Sequence, residues 1–348
     1  MKVLIIGGGG YIGTNLCNYL VQKKFQVTSL DTFWFGDYLN KRVKKIKADI
    51  RVFDFDKLPH YDVVINLAYL SNDPSCAIDA RGTWEIGPLA LYRILEFCKK
   101  IKAKKFIFAS SGSVYGVKNK NLIIKEDVKL EPLTDYNKSK MICEKVVESY
   151  NKFFDCIIVR PATVCGYSPR LRLDVVLNLF CYQAYFKKKI TILGGAQTRP
   201  LVNIHDMIRC YEFFLKKKLK GCFNLGFENK SVREIANSVK KIIPCKLTSK
   251  STDDIRSYNI NSNKILKKGF KPLYSSTDAI IEIKKEFDNG FKPNDKNFNL
   301  KWLLKKKLFM TINNKIISDI DFLKKKNFLK KKKLDYVMGL LMFCMLGI

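Results

Sequence analysis

The sequence has 348 residues, of which 47% are apolar, and its formal net charge is +32. This length and apolar content indicate a globular protein with a large buried core and exclude an intrinsically disordered chain. The charge would suit nucleic acid or an anionic membrane as partner. However, only 11 of the 64 basic residues are arginine, the lysines are scattered through every segment, and no zinc-finger or RNP-type signature is present. A compositional drift of the genome explains this pattern better, and we expect no nucleic-acid partner.

The eleven cysteines and two histidines do not have the spacing of a metal site. No CxxC pair occurs, and His60 and His205 are far apart, which argues against zinc. The apolar surroundings of the cysteines favour reduced, buried thiols in a cytoplasmic protein. The first apolar run leads straight into glycines, so we expect no signal peptide.

Strand and helix patterns alternate through the first 165 residues. Continuous apolar runs predict buried parallel strands, and helical patterns lie between them, the first over residues 14–24. Such alternation predicts right-handed βαβ units and an α/β fold of the Rossmann type, with a doubly wound parallel sheet. The predicted strands are KVLIIG, FQVTSLD, YDVVINLA, KKFIFASS and FDCIIVRPA.

The pattern changes after residue 165 and predicts a smaller, interleaved C-terminal substrate lobe with segments that return to the sheet. ITILG and GCFNLG indicate strands, LDVVLNLFCYQAYFKKK and VREIANSVKKII indicate helices, and TRPLVNIHDMIRCYEFFLKK indicates a loop leading into a helix. We therefore divide the chain into a Rossmann domain (1–165), the smaller lobe (166–290) and a lysine-rich extension (291–348).

The extension carries 14 lysines and 4 acidic residues. Its last apolar stretch is about a dozen residues long, short of the ~20 that span a bilayer. Two interpretations stay open: weak contact with an anionic membrane surface, or an extension that is weakly ordered or packed against a partner.

A glycine-rich segment, GGGGYIG, lies between the first strand and the first helix. Gly7 allows the tight turn, Gly10 lets the backbone approach a pyrophosphate, and Gly13 lets the helix pack closely on the strand. The phosphates then meet the free N–H groups at a helix N-terminus. The pattern predicts a bound dinucleotide.

Two acidic positions specify which dinucleotide is expected. Asp31 ends the second strand, where a carboxylate accepts hydrogen bonds from both ribose hydroxyls of NAD and repels the 2′-phosphate of NADP. Asp49, with Ile50, fits the next contact, beside the adenine amine, although an ordinary surface acid is the alternative. We predict NAD as the cofactor.

Tyr136 and Lys140 are four residues apart and share one face of a predicted helix. A phenol with its ordinary pKa of ~10 is a poor base at neutral pH, and a neighbouring ammonium lowers that pKa. Ser111, in ASSGSVYG after a buried strand, can hydrogen-bond both a substrate hydroxyl and the tyrosine. These residues predict a proton-transfer site at the carboxyl edge of the sheet.

At this point residues 1–285 resemble the extended short-chain dehydrogenase/reductase superfamily, in particular its NAD-dependent nucleotide-sugar epimerase/dehydratase branch. The motifs that carry the resemblance are GGGGYIG, NLAYLSNDPS, SSGSVYG, YNKSK, VRPATVCGYSPR, RPLVNIHD and DIRSYNINSNKI, with Asp31 at a strand end.

The resemblance implies a cytoplasmic enzyme of polysaccharide biosynthesis that acts on a nucleotide-activated sugar. It also implies a homodimer formed through two helices, one from Ile86 and one after Tyr136. Lys140 would hold the nicotinamide ribose as well. The implied cofactor contacts further include Tyr11, Ile12, Leu67 and Ala68, and the implied substrate contacts are Ser111, Thr163, Arg199 and Arg256, the two arginines meeting the diphosphate.

The residues after Ser111 discriminate among the reactions of this branch. Members that dehydrate the sugar resemble one another in an Asp-Glu pair there, whereas this chain has Gly112 and Ser113. Without that acid, the remaining groups favour oxidation at a carbinol and its reversal, hence C4 epimerisation. Net dehydrogenation, reduction or dehydration, and a non-catalytic dinucleotide-binding sensor or scaffold, are the alternatives.

Two positions depart from the branch. Gly87 stands where relatives usually have an asparagine of the active-site hydrogen-bond network, and Pro88 after it requires a helix start or a kink. Thr163 stands where many members have the asparagine that meets the substrate phosphate. The departure at Gly87 concerns whether the enzyme has full activity. The departure at Thr163 concerns the orientation of the substrate in the site.

Overall fold

The computed structural model describes residues 1–118, 122–252 and 257–306. Its strands are β1 (Lys2–Ile6), β2 (Gln26–Asp31), β3 (Lys44–Lys47), β4 (Val63–Asn66), β5 (Lys105–Ala109), β6 (Ile123–Ile124), β7 (Asp155–Pro161), β8 (Thr163–Cys165), β9 (Lys189–Leu193), β10 (Thr198–Asn203), β11 (Gly221–Leu225), β12 (Glu228–Ser231), β13 (Lys246–Lys250) and β14 (Asn259–Ile260). Its helices are α1 (Tyr11–Gln22), α2 (Asp73–Ile78), α3 (Ala80–Trp84), α4 (Ala90–Lys100), α5 (Asp135–Ser149), α6 (Val176–Lys187), α7 (Ile204–Lys216), α8 (Val232–Ile242), α9 (Asn263–Lys267), α10 (Ser276–Asp288) and α11 (Asn299–Lys306).

A seven-stranded parallel sheet forms the centre of the fold, in the order β3-β2-β1-β4-β5-β7-β11. The apolar runs of β1, β4, β5 and β7 are buried almost throughout, as strands covered on both faces require. The predicted Rossmann-type fold is therefore confirmed, and GCFNLG returns to the sheet as β11. The strand order reverses between β1 and β4, which opens a crevice at their carboxyl ends.

Three smaller sheets lie beyond the central one: β12-β10-β8, β13-β9 and β14-β6. The prediction of a loop before α7 is wrong, because residues 198–203 form strand β10. Leu201 and Val202 of β10 are 1% exposed, and the strand pairs with β8 on one side and β12 on the other. Pairing on both sides stabilises a short strand whose sequence, with Pro200 in it, lacks a clear strand pattern.

Met1–Trp302 form one compact unit, and Leu303–Ile348 form a second, of which only residues 303–306 at the end of α11 are described. Most of the lysine-rich extension, with its predicted membrane contact, lies outside the described residues. The divisions predicted at residues 165 and 290 stay predictions. Among the helices that the structure describes, none has the length and apolar character that crossing a membrane requires.

An ion pair between α7 and α10 gives one testable pH dependence. His205 Nε2 lies 2.9 Å from Glu282 Oε1, and this hydrogen bond raises the pKa of His205 above 6.5. The pair therefore adds stability that is fully present below about pH 6.5 and is lost as the pH rises through the raised pKa. We expect the unfolding free-energy difference between wild type and His205→Gln, measured by urea denaturation, to shrink from pH 5.5 to pH 8.5.

The control for this titration is Glu282→Gln, which keeps a hydrogen-bond acceptor but removes the charge. In the Glu282→Gln background, the change in unfolding free energy caused by His205→Gln should vary less with pH than it does in wild type. A difference that is constant, or grows, with rising pH in the wild-type background would contradict the assignment.

Candidate active site

The glycine turn after β1 is packed tightly except at one position. Gly7 has a φ of +87°, and a Cβ there would lie 2.5 Å from the backbone nitrogen of Ala68. A Cβ at Gly13 would overlap the carbonyl oxygen of Gly7, whereas a Cβ at Gly10 would meet only that oxygen, at 3.3 Å. Gly7 and Gly13 thus pack against backbone, and Gly10 is the least crowded of the three. Ala68, with Leu67, follows β4 and lies directly beside the turn.

The N-terminus of α1 opens at the same place. Gly10 is its N-cap, and no side-chain hydrogen bond caps this end of the helix. The N–H groups of Tyr11 and Ile12 belong to that first turn, where an α-helix leaves its N–H groups without intrahelical partners. The least crowded glycine and the free N–H groups fit the diphosphate of a dinucleotide.

Asp31 lies beside the glycine turn at the end of β2. Its carboxylate accepts hydrogen bonds from the N–H groups of Gly9, at 2.9 Å, and Phe33, at 2.7 Å. Burial raises the pKa of Asp31 above its ordinary value, and the hydrogen bonds from these two N–H groups offset part of that increase. The carboxylate is therefore fixed by backbone at the edge of the crevice.

Arg170 is a residue near this turn that the sequence analysis missed. It is 3% exposed, its guanidinium lies 3.9 Å from the centroid of the Phe35 ring, and its charge acts on Asp31. Burial lowers its pKa to about 9. Its Nε and Nη1 atoms have no hydrogen-bond partner among the described residues. A buried guanidinium with spare donors also fits an anionic group, and the only sequence signal was its place in VCGYSPR.

The carboxylate of Asp49 is engaged within the protein. It forms a two-bond ion pair with Arg51, at 2.8 Å, and the Arg51 side chain is 2% exposed. Arg51 also lies 3.6 Å from Glu85. Ile50 is buried. Contact of Asp49 and Ile50 with adenine stays a prediction.

Tyr136 and Lys140 lie in the crevice on the first turns of α5. Thr134 caps this helix by accepting a hydrogen bond from the N–H of Asn137 at 3.3 Å. Lys140 is 3% exposed, and its Nζ donates to the carbonyl of Ala109, at the carboxyl end of β5, at 2.6 Å. That Nζ is 6.0 Å from the centroid of the Tyr136 ring. The helix thus brings both side chains together beside the sheet edge.

Burial dominates the proton affinities of this pair. It raises the pKa of Tyr136, which a hydrogen bond to Ser111 lowers in part. Burial also lowers the pKa of Lys140 to about 8. The expected lowering of the tyrosine pKa by Lys140 is therefore not the main effect in this structure. A phenol with a raised pKa is a proton donor at neutral pH.

A chain of hydroxyl groups leads away from Tyr136. Ser113 Oγ donates to the side-chain oxygen of Asn137 at 2.6 Å, so the 2.8 Å contact between Ser111 and Ser113 has Ser111 as its donor. In this arrangement Ser111 accepts the proton of the neutral phenol, and it lowers the pKa of Tyr136 only when its hydroxyl turns from Ser113 to donate to the phenolate. The sequence analysis gave Ser113 and Asn137 no role, although their spacing from Ser111 and Tyr136 was visible.

The predicted substrate residues are only partly described. Thr163 lies in β8 and Arg199 in β10, which are adjacent parallel strands of the three-stranded sheet. Arg199 Nη1 donates to the carbonyl of Thr198 at 3.2 Å. Arg256 lies outside the described residues. Contacts of these three with a substrate stay predictions.

A buried ion pair fixes α5 against the sheet below the site. Glu144, one turn beyond Lys140, accepts three hydrogen bonds from Arg160 of β7, the shortest of 2.6 Å. Their side chains are 1% and 6% exposed. Ser110, next to Ser111, also donates to Glu144. This network sets how the face that carries Lys140 meets the end of β5.

The crevice and the side chains above it define a class of protein, a dinucleotide-dependent Rossmann enzyme of the short-chain dehydrogenase type. Residues 3–226 match the model of the NAD dependent epimerase/dehydratase family. The match covers more than half of the chain, which therefore belongs to this family and is an NAD-dependent enzyme of it. The resemblance seen in the sequence is confirmed.

Known relatives share most of the chain. The uncharacterized UDP-glucose epimerase YtcB of Bacillus subtilis is 29% identical over 281 residues, which are 73% of this chain and 86% of that protein. The dTDP-D-glucose 4,6-dehydratase of Dictyostelium discoideum is 30% identical over 274 residues, 70% of this chain and 61% of that protein. The solved structure of UDP-glucuronic acid 4-epimerase from Bacillus cereus, in complex with UDP-glucuronic acid and NAD, is 28% identical, covers 84% of this chain and 100% of its own, and has a TM-score of 0.76.

Proposed function

We propose that this enzyme interconverts nucleotide-activated sugars by epimerisation at C4. The observation that carries the proposal is the turn after Ser111. Gly112 and Ser113 stand there, and neither carries a carboxylate; a Cβ at Gly112 would lie 2.7 Å from Ile260 Cδ1, so a larger side chain would require Ile260 to shift. The hydroxyl of Ser113 is already bonded to Asn137. The acid-base pair of sugar dehydration therefore has no counterpart among the described residues of this turn.

The remaining groups suit removal and return of hydrogen at one carbinol. Tyr136 carries the hydroxyl proton, and Ser111 orients that hydroxyl and the phenol. Lys140 holds the nicotinamide ribose and supplies positive charge near the phenol. A bound NAD would supply the hydride chemistry, and its positive charge would oppose the rise in the pKa of Tyr136 that burial causes. Turning the keto sugar between the two transfers inverts C4.

The similarity to UDP-sugar enzymes supports a uridine diphosphate sugar as the substrate, with Thr163, Arg199 and Arg256 at the nucleotide. The residues Leu67, Ala68, Asp31, Asp49 and Ile50 would line the cofactor. Buried thiols throughout the described core support a cytoplasmic enzyme.

A substrate panel tests this proposal. The purified enzyme is incubated with UDP-glucose, UDP-galactose, UDP-glucuronic acid, UDP-N-acetylglucosamine and dTDP-glucose, while nicotinamide absorbance is followed and products are identified by NMR. We expect a C4 epimer from at least one UDP-sugar, with no net change of NAD. A 4-keto-6-deoxy product would indicate dehydration, and stoichiometric NADH would indicate net oxidation.

We further propose that the enzyme is a homodimer through α4 and α5. Leu89, just before α4, and Tyr92 on it are 49% and 55% exposed and lie three residues apart, hence on one helix face. A second copy of this helix pair would cover them. We expect Leu89→Glu to convert a wild-type dimer to a monomer in analytical ultracentrifugation, whereas Leu193→Glu, at an equally exposed position on β9, should not. A monomeric wild type would contradict the proposal.

A further inference from the structure

Tyr69 lies at the centre of the crevice and has no role in the function proposed above. It follows Leu67 and Ala68 after β4. Its ring centroid is 3.5 Å from the Nζ of Lys140, the shortest contact between a cation and a ring in the described residues. The ring also meets Tyr136 edge to face, with centroids 5.7 Å apart and an angle of 74°. One aromatic ring thus touches both members of the tyrosine–lysine pair.

The hydroxyl of Tyr69 fixes the ring in this place. Ser139 Oγ donates to the carbonyl of Tyr136 at 3.0 Å. Its only hydrogen is then committed, so the 2.6 Å bond between Ser139 and Tyr69 has the phenol as donor. The ring is therefore anchored to α5 by its hydroxyl, on the same turn that carries Lys140.

Gly87 makes the space that this hydroxyl occupies. A Cβ at Gly87 would lie 2.5 Å from Tyr69 Oη and 3.1 Å from its Cζ. Gly87 is also the non-helical residue of the π-helical segment Glu85–Leu89, so of the two alternatives at Pro88, a helix start or a kink, the structure has the kink. A side chain at residue 87 would therefore displace the hydroxyl end of the Tyr69 ring.

Few groups stabilise the charge of the Lys140 ammonium, and the Tyr69 ring is the nearest of the aromatic rings beside it, since the centroid of the Phe108 ring lies 4.8 Å from Nζ. Among the described residues, its conventional acceptor is the carbonyl of Ala109. Burial keeps the pKa values of Cys76 and Cys143 raised, so both thiols are neutral, and Glu144 is paired with Arg160. The titratable groups that face Lys140 are Cys76 of α2, Cys143, Glu144 and Tyr136 of α5, and Tyr69 itself.

We propose that Tyr69 is a positioning residue that carries the Lys140 ammonium on the face of its ring, and that Gly87 must lack a side chain to admit it. The inference rests on the role proposed for Lys140. A desolvated ammonium over a ring face is held more strongly than an exposed one. The ring thus keeps Lys140 charged and in place, and, with one N–H on the carbonyl of Ala109 and one over the ring, the third is left for the nicotinamide ribose.

The first experiment separates the ring from its hydroxyl. Tyr69→Leu removes both, Tyr69→Phe keeps the ring, and Phe153→Leu removes an exposed ring 4.7 Å from Lys99 as a matched control. NAD affinity is measured by calorimetry, and kcat/KM by turnover, from pH 6 to pH 9.5. We expect kcat/KM of Tyr69→Leu to be about tenfold lower than that of wild type. As the pH rises, the NAD affinity of this variant should fall at a pH about half a unit below that at which the wild-type affinity falls.

The expected shift has a definite sign. Lys140 binds the ribose as an ammonium, and loss of the ring makes that ammonium easier to deprotonate, so the loss of affinity moves to lower pH. Tyr69→Phe should follow the wild-type pH profile, with at most a threefold loss of rate. Identical pH profiles of NAD affinity for Tyr69→Leu and wild type would overturn the proposal. This binding measurement requires no turnover, so it stands apart from any failure of the epimerase assignment.

The second experiment tests the steric pairing with Gly87. Gly87→Ala is made in wild type and in Tyr69→Phe, in which the atom at 2.5 Å is gone and the nearest is at 3.1 Å. We expect the alanine to weaken NAD affinity in wild type by at least threefold more than in Tyr69→Phe. Equal losses in both backgrounds would show that Gly87 acts through the helix kink alone and would overturn this part of the proposal.

Discussion

Replacement of Tyr136 by phenylalanine is expected to lower kcat by about 10³-fold, the range for removal of a general acid-base group. The variant deletes the oxygen that carries the substrate proton and keeps the ring that packs edge to face on Tyr69. NAD affinity should therefore stay within about twofold of wild type. Steady-state kinetics and calorimetry with NAD measure the two quantities.

Tyr274→Phe is the matched control, since it removes a hydroxyl from a tyrosine that is 42% exposed, and it should leave kcat unchanged. Wild-type kcat in Tyr136→Phe would refute the assignment of the proton carrier. A parallel loss of NAD affinity and kcat would instead indicate a role in cofactor binding.

Replacement of Glu144 by alanine is expected to lower the free energy of unfolding by about 3–5 kcal/mol. It leaves the buried guanidinium of Arg160 without its carboxylate, and it removes the acceptor of the Ser110 hydroxyl. Glu144→Gln keeps a side chain that can form hydrogen bonds, so it should lower the free energy of unfolding by less than Glu144→Ala does. Urea denaturation followed by circular dichroism measures both variants.

The same helix provides the control for this prediction. Glu148 pairs with Lys145 at 3.0 Å, but their side chains are 43% and 71% exposed. Glu148→Ala should therefore change stability by less than about 1 kcal/mol. If Glu144→Ala cost no more than Glu148→Ala, the buried pair would not be what holds α5 against β7.

The sequence predicted those features that local patterns determine. Apolar runs placed β1, β2, β4, β5 and β7, and the spacing of Tyr136 and Lys140 placed both on α5. The glycines lie between strand and helix, where their spacing put them. In each of these cases neighbouring residues decide the outcome through backbone period and turn geometry.

Features that depend on distant residues were not predictable in this way. Strand β10 forms because β8 and β12 pair with it. The proton affinity of Tyr136 follows its burial rather than the nearby ammonium. The contact between Tyr69 and Gly87 joins positions from different elements, although the sequence alone had marked Gly87 as unusual. Burial and tertiary contact, which no short motif encodes, decide these cases.

The fate of the hydrogen at C4 tests the central claim most directly. A UDP-sugar that the panel shows to be converted is prepared with deuterium at C4, and the product is analysed by NMR and mass spectrometry. The account predicts a C4 epimer that retains the deuterium at C4 and takes up no solvent hydrogen on carbon. Loss of that deuterium to water, or incorporation of solvent hydrogen at C3 or C5, would contradict it.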